Sequence, residues 1–223
     1  MLKTTEPKTK PSPSRKRNPP RQSRSIATRD SLLDAAERLL KNRPWDKIST
    51  VAIMLEAGCS NGAIYGRFKN KDDILVALYE RHNERLRERF TNQQGKNQTR
   101  KETLENFFDR EIDQLIKMHR ENRWLLAAVG TLSRRKPDVV TPEMRTQRKR
   151  MFEMIGSQFL RFEDEFETPH LEREIQLIIF FVSTIIREAI LHQGPHFGTL
   201  KLKDKELKKS LKKMAFGFLG VKD

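Results

Sequence analysis

The sequence predicts an all-α protein: an N-terminal three-helix head carrying a helix-turn-helix, followed by a C-terminal helical bundle. Three observations predict it. Between Ser49 and Asp73, two short amphipathic segments are joined by a Gly-containing turn and run into the start of a longer third one. From Lys101 onward every apolar segment repeats with helical period, and Thr141-Pro142 and Thr168-Pro169 each set a capping residue before a proline suited to a first helical position. No run alternates apolar and polar residues as a half-buried strand does, and no repeat of roughly 20–50 residues is present.

Composition narrows the class. A chain of 223 residues has room for one large or two small domains at roughly 100–200 residues per domain. Its single cysteine excludes an intrachain disulfide and a multi-cysteine zinc site, and fits a reducing cytoplasm. The start, MLKTTEPKTK, has no apolar stretch behind its charges, so no secretory signal is expected. The most apolar run, 177–191, is interrupted by Arg187 and Glu188 and falls short of the ~20 residues that span a bilayer. The expectation is a cytoplasmic protein with no membrane partner. The net charge of +15 lies at the ends: residues 1–29 carry nine Lys or Arg against one Glu, and residues 201–223 carry eight against three acids. Residues 101–200 are close to neutral, with fifteen against sixteen. A basic tail abutting a helix-turn-helix points to a polyanion, because neutralising phosphates releases condensed counterions.

In chain order, residues 1–26 hold five of the ten prolines and almost no apolar side chains. Such a segment cannot offset its ordering entropy and is expected to be disordered when free. It reads either as an arm lying in a minor groove, with Arg15, Lys16, Arg17, Arg21 and Arg24 as contacts, or as a solvated basic tail. The head is expected over 27–80. Its first helix, about 30–41, has the stripe Leu32, Leu33, Ala36, Leu39 and Leu40; Pro44 ends it, and Trp45 and Ile48 cover the small core. Ser49 caps the second helix, with Thr50, Ile53, Met54 and Ala57 on its buried face, and Gly58 stops it in a left-handed conformation. Cys59 is a small plug in the turn. Ser60 caps the third helix, whose Ile64 and Phe68 point inward and leave Asn61, Ala63, Tyr65, Gly66 and Arg67 on or near the outer face. Asn70 and Asp73 form a capping box for a fourth helix, about 71–91, before a loop at 93–97 containing Gly95.

The runs Ala57-Gly58-Cys59-Ser60, Gly62-Ala63-Ile64-Tyr65-Gly66-Arg67-Phe68 and Asn70-Lys71-Asp72-Asp73 resemble the DNA-binding domain of the TetR (tetracycline-repressor-like) family of bacterial regulators. The resemblance extends over roughly residues 28–80. It implies double-stranded DNA as partner and, with the exposed positions, gives a candidate contact set: Ser49, Thr50, Ser60, Asn61, Gly62, Ala63, Tyr65, Gly66, Arg67 and Lys71, with Arg21 and Arg24 from the tail. Asn61 suits bidentate pairing with adenine and the Ala63 methyl suits contact with a thymine methyl. Tyr65, by resemblance, touches the DNA backbone or a base. Arg67 and Lys71 are candidate phosphate clamps. Gly66 departs from the larger residue of many relatives, and the base contacts inferred there depart with it.

The second domain is expected over 81–223. Leu104, Phe107, Phe108, Ile112, Leu115 and Ile116 stripe one helix, and Trp124, Leu125, Ala128, Val129 and Leu132 a shorter one. Met144, Met151, Ile155 and Phe159 point inward from the helix after Pro142; an acidic loop at 163–167 precedes a helix running to Gly194-Pro195. That helix is apolar nearly all round, so its neighbours or a second subunit must cover it. Ile175, Ile178, Ile179, Val182, Ile185, Ile186 and Ala189 form a face too wide for one helix to cover, which predicts a homodimer. The resemblance assigns that interface to residues 169–193 and 203–216. It also implies an inducer of unknown identity enclosed by the middle helices, with Phe107, Phe108, Trp124, Met151, Met154, Phe159 and Phe180 as candidates; the alternative for each is plain core.

No Gly-rich phosphate loop, HExxH, GxSxG or metal-spaced ligand run is present, so neither an enzyme nor a cofactor or metal is expected. The sequence thus reads as a dimeric, ligand-responsive DNA-binding transcriptional repressor. The alternatives are an architectural DNA binder without a ligand, and a helical interaction protein whose basic ends meet an acidic partner.

Overall fold

A computed structural model describes residues 21–97, 101–191 and 202–221. Nine α-helices are described: α1 (Arg21–Asn42), α2 (Thr50–Ala57), α3 (Asn61–Tyr65), α4 (Lys71–Asn97), α5 (Leu104–Glu121), α6 (Arg123–Arg135), α7 (Pro142–Phe159), α8 (Leu171–Leu191) and α9 (Asp204–Leu219). Extended pairing among the described residues is limited to one isolated bridge, Phe166 to Val221.

Helix starts follow the capping residues. Ser49 accepts from Ala52 N at 3.0 Å, Thr103 from Asn106 N at 3.2 Å and Thr141 from Met144 N at 3.3 Å. Asn70 accepts from Asp73 N at 3.1 Å, while Asp73 accepts from Lys69 N at 2.9 Å, closing a box across the α4 start. Gly58 ends α2 at φ +63, a left-handed position where a side chain would be strained.

Several boundaries differ from the sequence reading. Helix α1 starts at Arg21 and not near residue 30, so the expected tail loses residues 21–26 to helix; Arg15, Lys16 and Arg17 lie outside the described residues. The apolar stripe begins only at Leu32, so periodicity cannot register the preceding turns. What ties them down is tertiary: Arg67 Nε donates to Ser25 O and Arg67 Nη2 to Ser25 Oγ, both at 3.3 Å. Helix α4 runs through the expected loop to Asn97, since Gly95 costs only ~1 kcal/mol of propensity and no proline stops it. Helix α8 starts two residues after Pro169, and its expected end at Gly194-Pro195 lies outside the described residues.

Two apolar cores result. The first gathers Leu32, Leu33, Ala36, Trp45, Ile48, Ile53, Ile64, Phe68, Ile74, Leu75 and Leu78, and also takes Leu125 and Leu132 from α6. A sixth helix thus packs into the head, and the core does not respect a boundary at residue 80. Arg81 binds Asp34 at 2.7 Å and Glu37 at 3.0 Å, fixing α4 on α1, and Arg38 meets Glu56 at 2.7 Å across to α2. The second core joins α5, α7, α8 and α9. Beside it Glu102, with its side chain 6% exposed, is held by Arg110 at 2.9 Å and Arg161 at 3.4 Å.

Candidate nucleic-acid interface

On α2 only Ile53 is fully buried; Thr50, Met54 and Ala57 are half-buried, while Val51 and Leu55 are exposed. On α3 and the turn that follows it the division is sharper: Ile64 and Phe68 are buried, and Asn61, Gly62, Tyr65 and Gly66 are exposed. This helix is anchored by two apolar side chains and turns a nearly flat strip of one amide, two glycines and one phenol to solvent. Ala63 is half-buried at its edge. Tyr65 is 54% exposed, and its hydroxyl shares a 3.3 Å hydrogen bond with the Thr50 hydroxyl, which joins α3 to the start of α2. Ser60 has the extended backbone of a cap, yet its side chain accepts no capping bond, so the hydroxyl is left on the surface and the expected side-chain cap is absent. At Gly66 an added Cβ would lie 3.0 Å from Gly62 O, which is tighter than real contacts allow without a shift.

The two expected phosphate clamps are engaged within the fold. Arg67 Nη1 donates to Ala63 O at 2.8 Å while its other nitrogens hold Ser25. Lys71 Nζ donates to Trp45 O at 2.8 Å and Ile48 O at 2.9 Å and stands 5.3 Å from the Trp45 ring centroid. The reason is geometric: Lys71, at the start of α4, reaches the 3₁₀ turn Trp45–Lys47 and its cap Ile48, where Trp45 O accepts from both Ile48 N–H and the ammonium. Arg21 and Arg24 lie on the first turns of α1. Lys69, exposed between α3 and α4 and without a carboxylate partner among the described residues, is a cation the sequence reading missed. Only its place in a short connection signalled it.

Helix α4 is tied to the end of α6 and to α7. Lys136 meets Asp72 at 2.6 Å, with Arg135 at 3.9 Å, and Arg148 Nη2 donates to Tyr79 OH at 3.0 Å. The Asp72 carboxyl is held below the usual range: burial pushes it up, but Lys136 and Arg135 outweigh that.

Of the residues expected to enclose an inducer, the structure brings together Phe107, Phe108 and Phe159 and sets Trp124 and Phe180 apart from them. Phe159 packs edge to face with both Phe107 and Phe108 in the second core, its centroid 5.0 Å from that of Phe107. Trp124 packs on the first core under the Arg123 guanidinium, 3.4 Å from its ring centroid. Met151 and Met154 are half-buried, and Phe180 is 56% exposed. The helical period of α8 allowed Phe180 either face, and the structure turns it outward.

The expected dimer face is also divided. Ile175, Ile178, Ile179, Val182 and Ile186 are buried within their own bundle, and Ala189 is half-buried. Ile185 is exposed, and with Phe180, Phe181 and Phe218 it forms an apolar patch over α8 and α9; the Phe180–Phe181 and Phe181–Phe218 centroids lie 6.0 and 5.8 Å apart.

Known proteins resemble this arrangement in two ways. Residues 32–78 match the family described as bacterial regulatory proteins, tetR family. A curated protein of Bacillus subtilis (strain 168), the uncharacterized HTH-type transcriptional regulator YwcC, is 44% identical over 55 residues, a span of 25% of either chain. Among solved structures, a TetR-family transcriptional regulator from Mesorhizobium loti MAFF303099 superposes with TM-score 0.67 at 17% identity, covering 88% of this chain and 97% of that one. A TetR transcription regulator from Haloarcula marismortui ATCC 43049 gives 0.63 at 17% identity over 87% and 97%. At such identities the structural likeness speaks for the fold.

Proposed function

We propose, from the premise that this chain is a member of the TetR family of bacterial regulatory proteins, that it is a cytoplasmic transcriptional repressor. In this reading it binds a palindromic operator as a homodimer and is released by a small-molecule inducer. The observation that carries it is the exposed strip of α3. Asn61, Gly62, Tyr65 and Gly66 stand out of a helix whose other face is nailed down by Ile64 and Phe68, which is what a helix must be to enter a major groove without deforming. Asn61 supplies an adenine-reading amide, Ala63 a methyl for thymine, and Tyr65 a phenol held by Thr50. Ser49, Thr50, Ser60 and Lys69 ring the strip, and Arg21 and Arg24 add charge from α1. The basic residues of 1–20 are proposed to add to the salt-dependent part of binding.

Support for the dimer is the patch of Phe180, Phe181, Ile185 and Phe218. These apolar side chains gain by leaving water together, and a two-fold axis through them presents two heads to a site with two half-sites about 34 Å apart. No helix of the described residues is long and apolar enough to cross a membrane, so a bilayer-spanning role for this surface has no support.

The test is selection of bound duplexes from a random pool, followed by footprinting. A two-fold-symmetric site is expected, and Tyr65→Ala should weaken binding to it by about tenfold or more at unchanged helicity and sedimentation, since one hydrogen-bonded contact is worth about 1–3 kcal/mol. A pool that yields no symmetric site, or a Tyr65→Ala protein that binds as well as the parent, would sink the reading.

A further inference from the structure

Between the head and α6 runs an open cleft of about 820 Å³, within the roughly 300–1,000 Å³ of small-molecule sites. One wall is the end of α1, the Trp45 turn and the first turn of α4; the other is α6. Leu40, Ala128 and Leu132 give it an apolar floor, and both tryptophans of the chain, Trp45 and Trp124, line it. Its charges are lopsided. Lys41, Arg43, Lys71, Arg123 and Arg135 outnumber Asp46 and Asp72 in its lining. Most are already committed: Lys71 to two carbonyls, Asp72 to Lys136 and Arg135, Lys41 to Glu37 at 3.2 Å. Arg43 and Arg123 have no carboxylate partner among the described residues, and Arg123 is already flattened on the Trp124 ring.

We infer that this cleft binds an aromatic carboxylate, its ring against Trp124 and the apolar floor and its carboxylate on the guanidiniums of Arg43 and Arg123. Guanidinium matches carboxylate in a planar, bidentate fashion, and a guanidinium stacked on indole has surrendered little further freedom to do so. The inference deepens the inducer reading and rests on it only for what happens at DNA. There the connection is short. A ligand held by Arg43 bears on the Trp45–Lys47 turn that follows it, where Lys71 holds the Trp45 and Ile48 carbonyls, and that turn leads through Ile48 into Ser49, the cap of α2. Occupancy therefore bears on how α2 and α3 are set relative to α6.

The experiment titrates the full-length protein with 1-naphthoate and with 1-naphthamide by calorimetry, and follows the two indole N–H resonances, assigned with Trp45→Phe and Trp124→Phe. Saturable binding of the acid that shifts the Trp124 resonance, with the amide about tenfold weaker or more, is the expected result; Arg43→Gln and Arg123→Gln should each cost the acid about tenfold. Absence of saturable binding, equal binding of acid and amide, or an affinity unmoved by both arginine variants overturns the proposal. DNA binding measured on the same preparations separates the two readings. Protein that binds no selected duplex fails as a regulator while the calorimetry still decides the cleft, and protein that binds DNA but not naphthoate fails only here.

Discussion

Replacing Lys71 by Met should destabilise the head before it disturbs any contact with DNA. The side chain is half-buried and its ammonium donates to two carbonyls, Trp45 O at 2.8 Å and Ile48 O at 2.9 Å. A hydrogen bond to a charged group contributes about 1.5–3 kcal/mol. Two such bonds sum to about 3–6 kcal/mol, and Trp45 O keeps its bond from Ile48 N–H, which places the loss toward the low end, about 3–4 kcal/mol. Met keeps the stem on the Trp45 ring and so removes the ammonium selectively. In a protein of this size 1 kcal/mol corresponds to about 2–4 °C, and the Lys71→Met protein should melt roughly 5–15 °C below the parent. The assay is thermal unfolding by circular dichroism, paired with operator binding well below the transition. Binding should fall because α2 loses the fixed turn that precedes its cap. A Lys71→Met protein that melts within about 1 °C of the parent yet no longer binds DNA would refute this account, since the lysine would then be acting on phosphate and not as a latch.

Two other outcomes follow from burial. Ile185→Asp should shift sedimentation from dimer to monomer with the fold kept, because the side chain is 36% exposed, whereas Ile178→Asp, 1% exposed, should cost about 3–5 kcal/mol and unfold the bundle; dissociation by both, or by neither, would place the seam elsewhere. His82 is pushed down to about 4, chiefly by burial and then by Arg85 and Arg89 against the opposing pull of Glu37. It is therefore neutral when folded, and its contribution, about 3 kcal/mol at most, is present above the ordinary histidine range and lost as pH falls from about 6.5 toward 4. Chemical denaturation across that range should show His82→Leu to be flatter than the parent; an equal slope in both would clear His82 of the effect.

Much of the fold was legible because its determinants are local. Ser49, Thr103 and Thr141 act as caps and Gly58 takes φ +63, all as single residues whose chemistry leaves few options. The buried pair Ile64 and Phe68 fixed which side of α3 is free. What escaped was set by tertiary contact. The first turns of α1 have no apolar stripe and are held by Arg67 from 42 residues away. For the same reason Arg67 and Lys71 looked like surface cations: sequence shows a charge, and only the fold shows that carbonyls already hold it. The candidate inducer residues were ambiguous on a different ground. Aromatic residues at helical spacing are equally consistent with a lining and a filling, and Phe107 against Phe159 is a filling.

The placement of α6 limits how such a molecule can respond to a ligand. Leu125 and Leu132 are part of the head's core, so pulling α6 away would expose both, at about 1.5–3 kcal/mol each. The Asp72–Lys136 contact at 2.6 Å would be lost with them. Coupling free energies between sites are typically about 1–3 kcal/mol, too little to part these surfaces. A ligand's differential affinity therefore cannot act by detaching the head from the bundle. On the proposed inducer reading it acts by sliding or tilting α6 with the head still packed on it, a motion that keeps Leu125 and Leu132 covered while Trp45, Lys71 and the start of α2 follow. In a two-fold dimer such a tilt is applied to both heads in opposite senses, so a small rotation about α6 becomes a change in the distance between the two α3 helices.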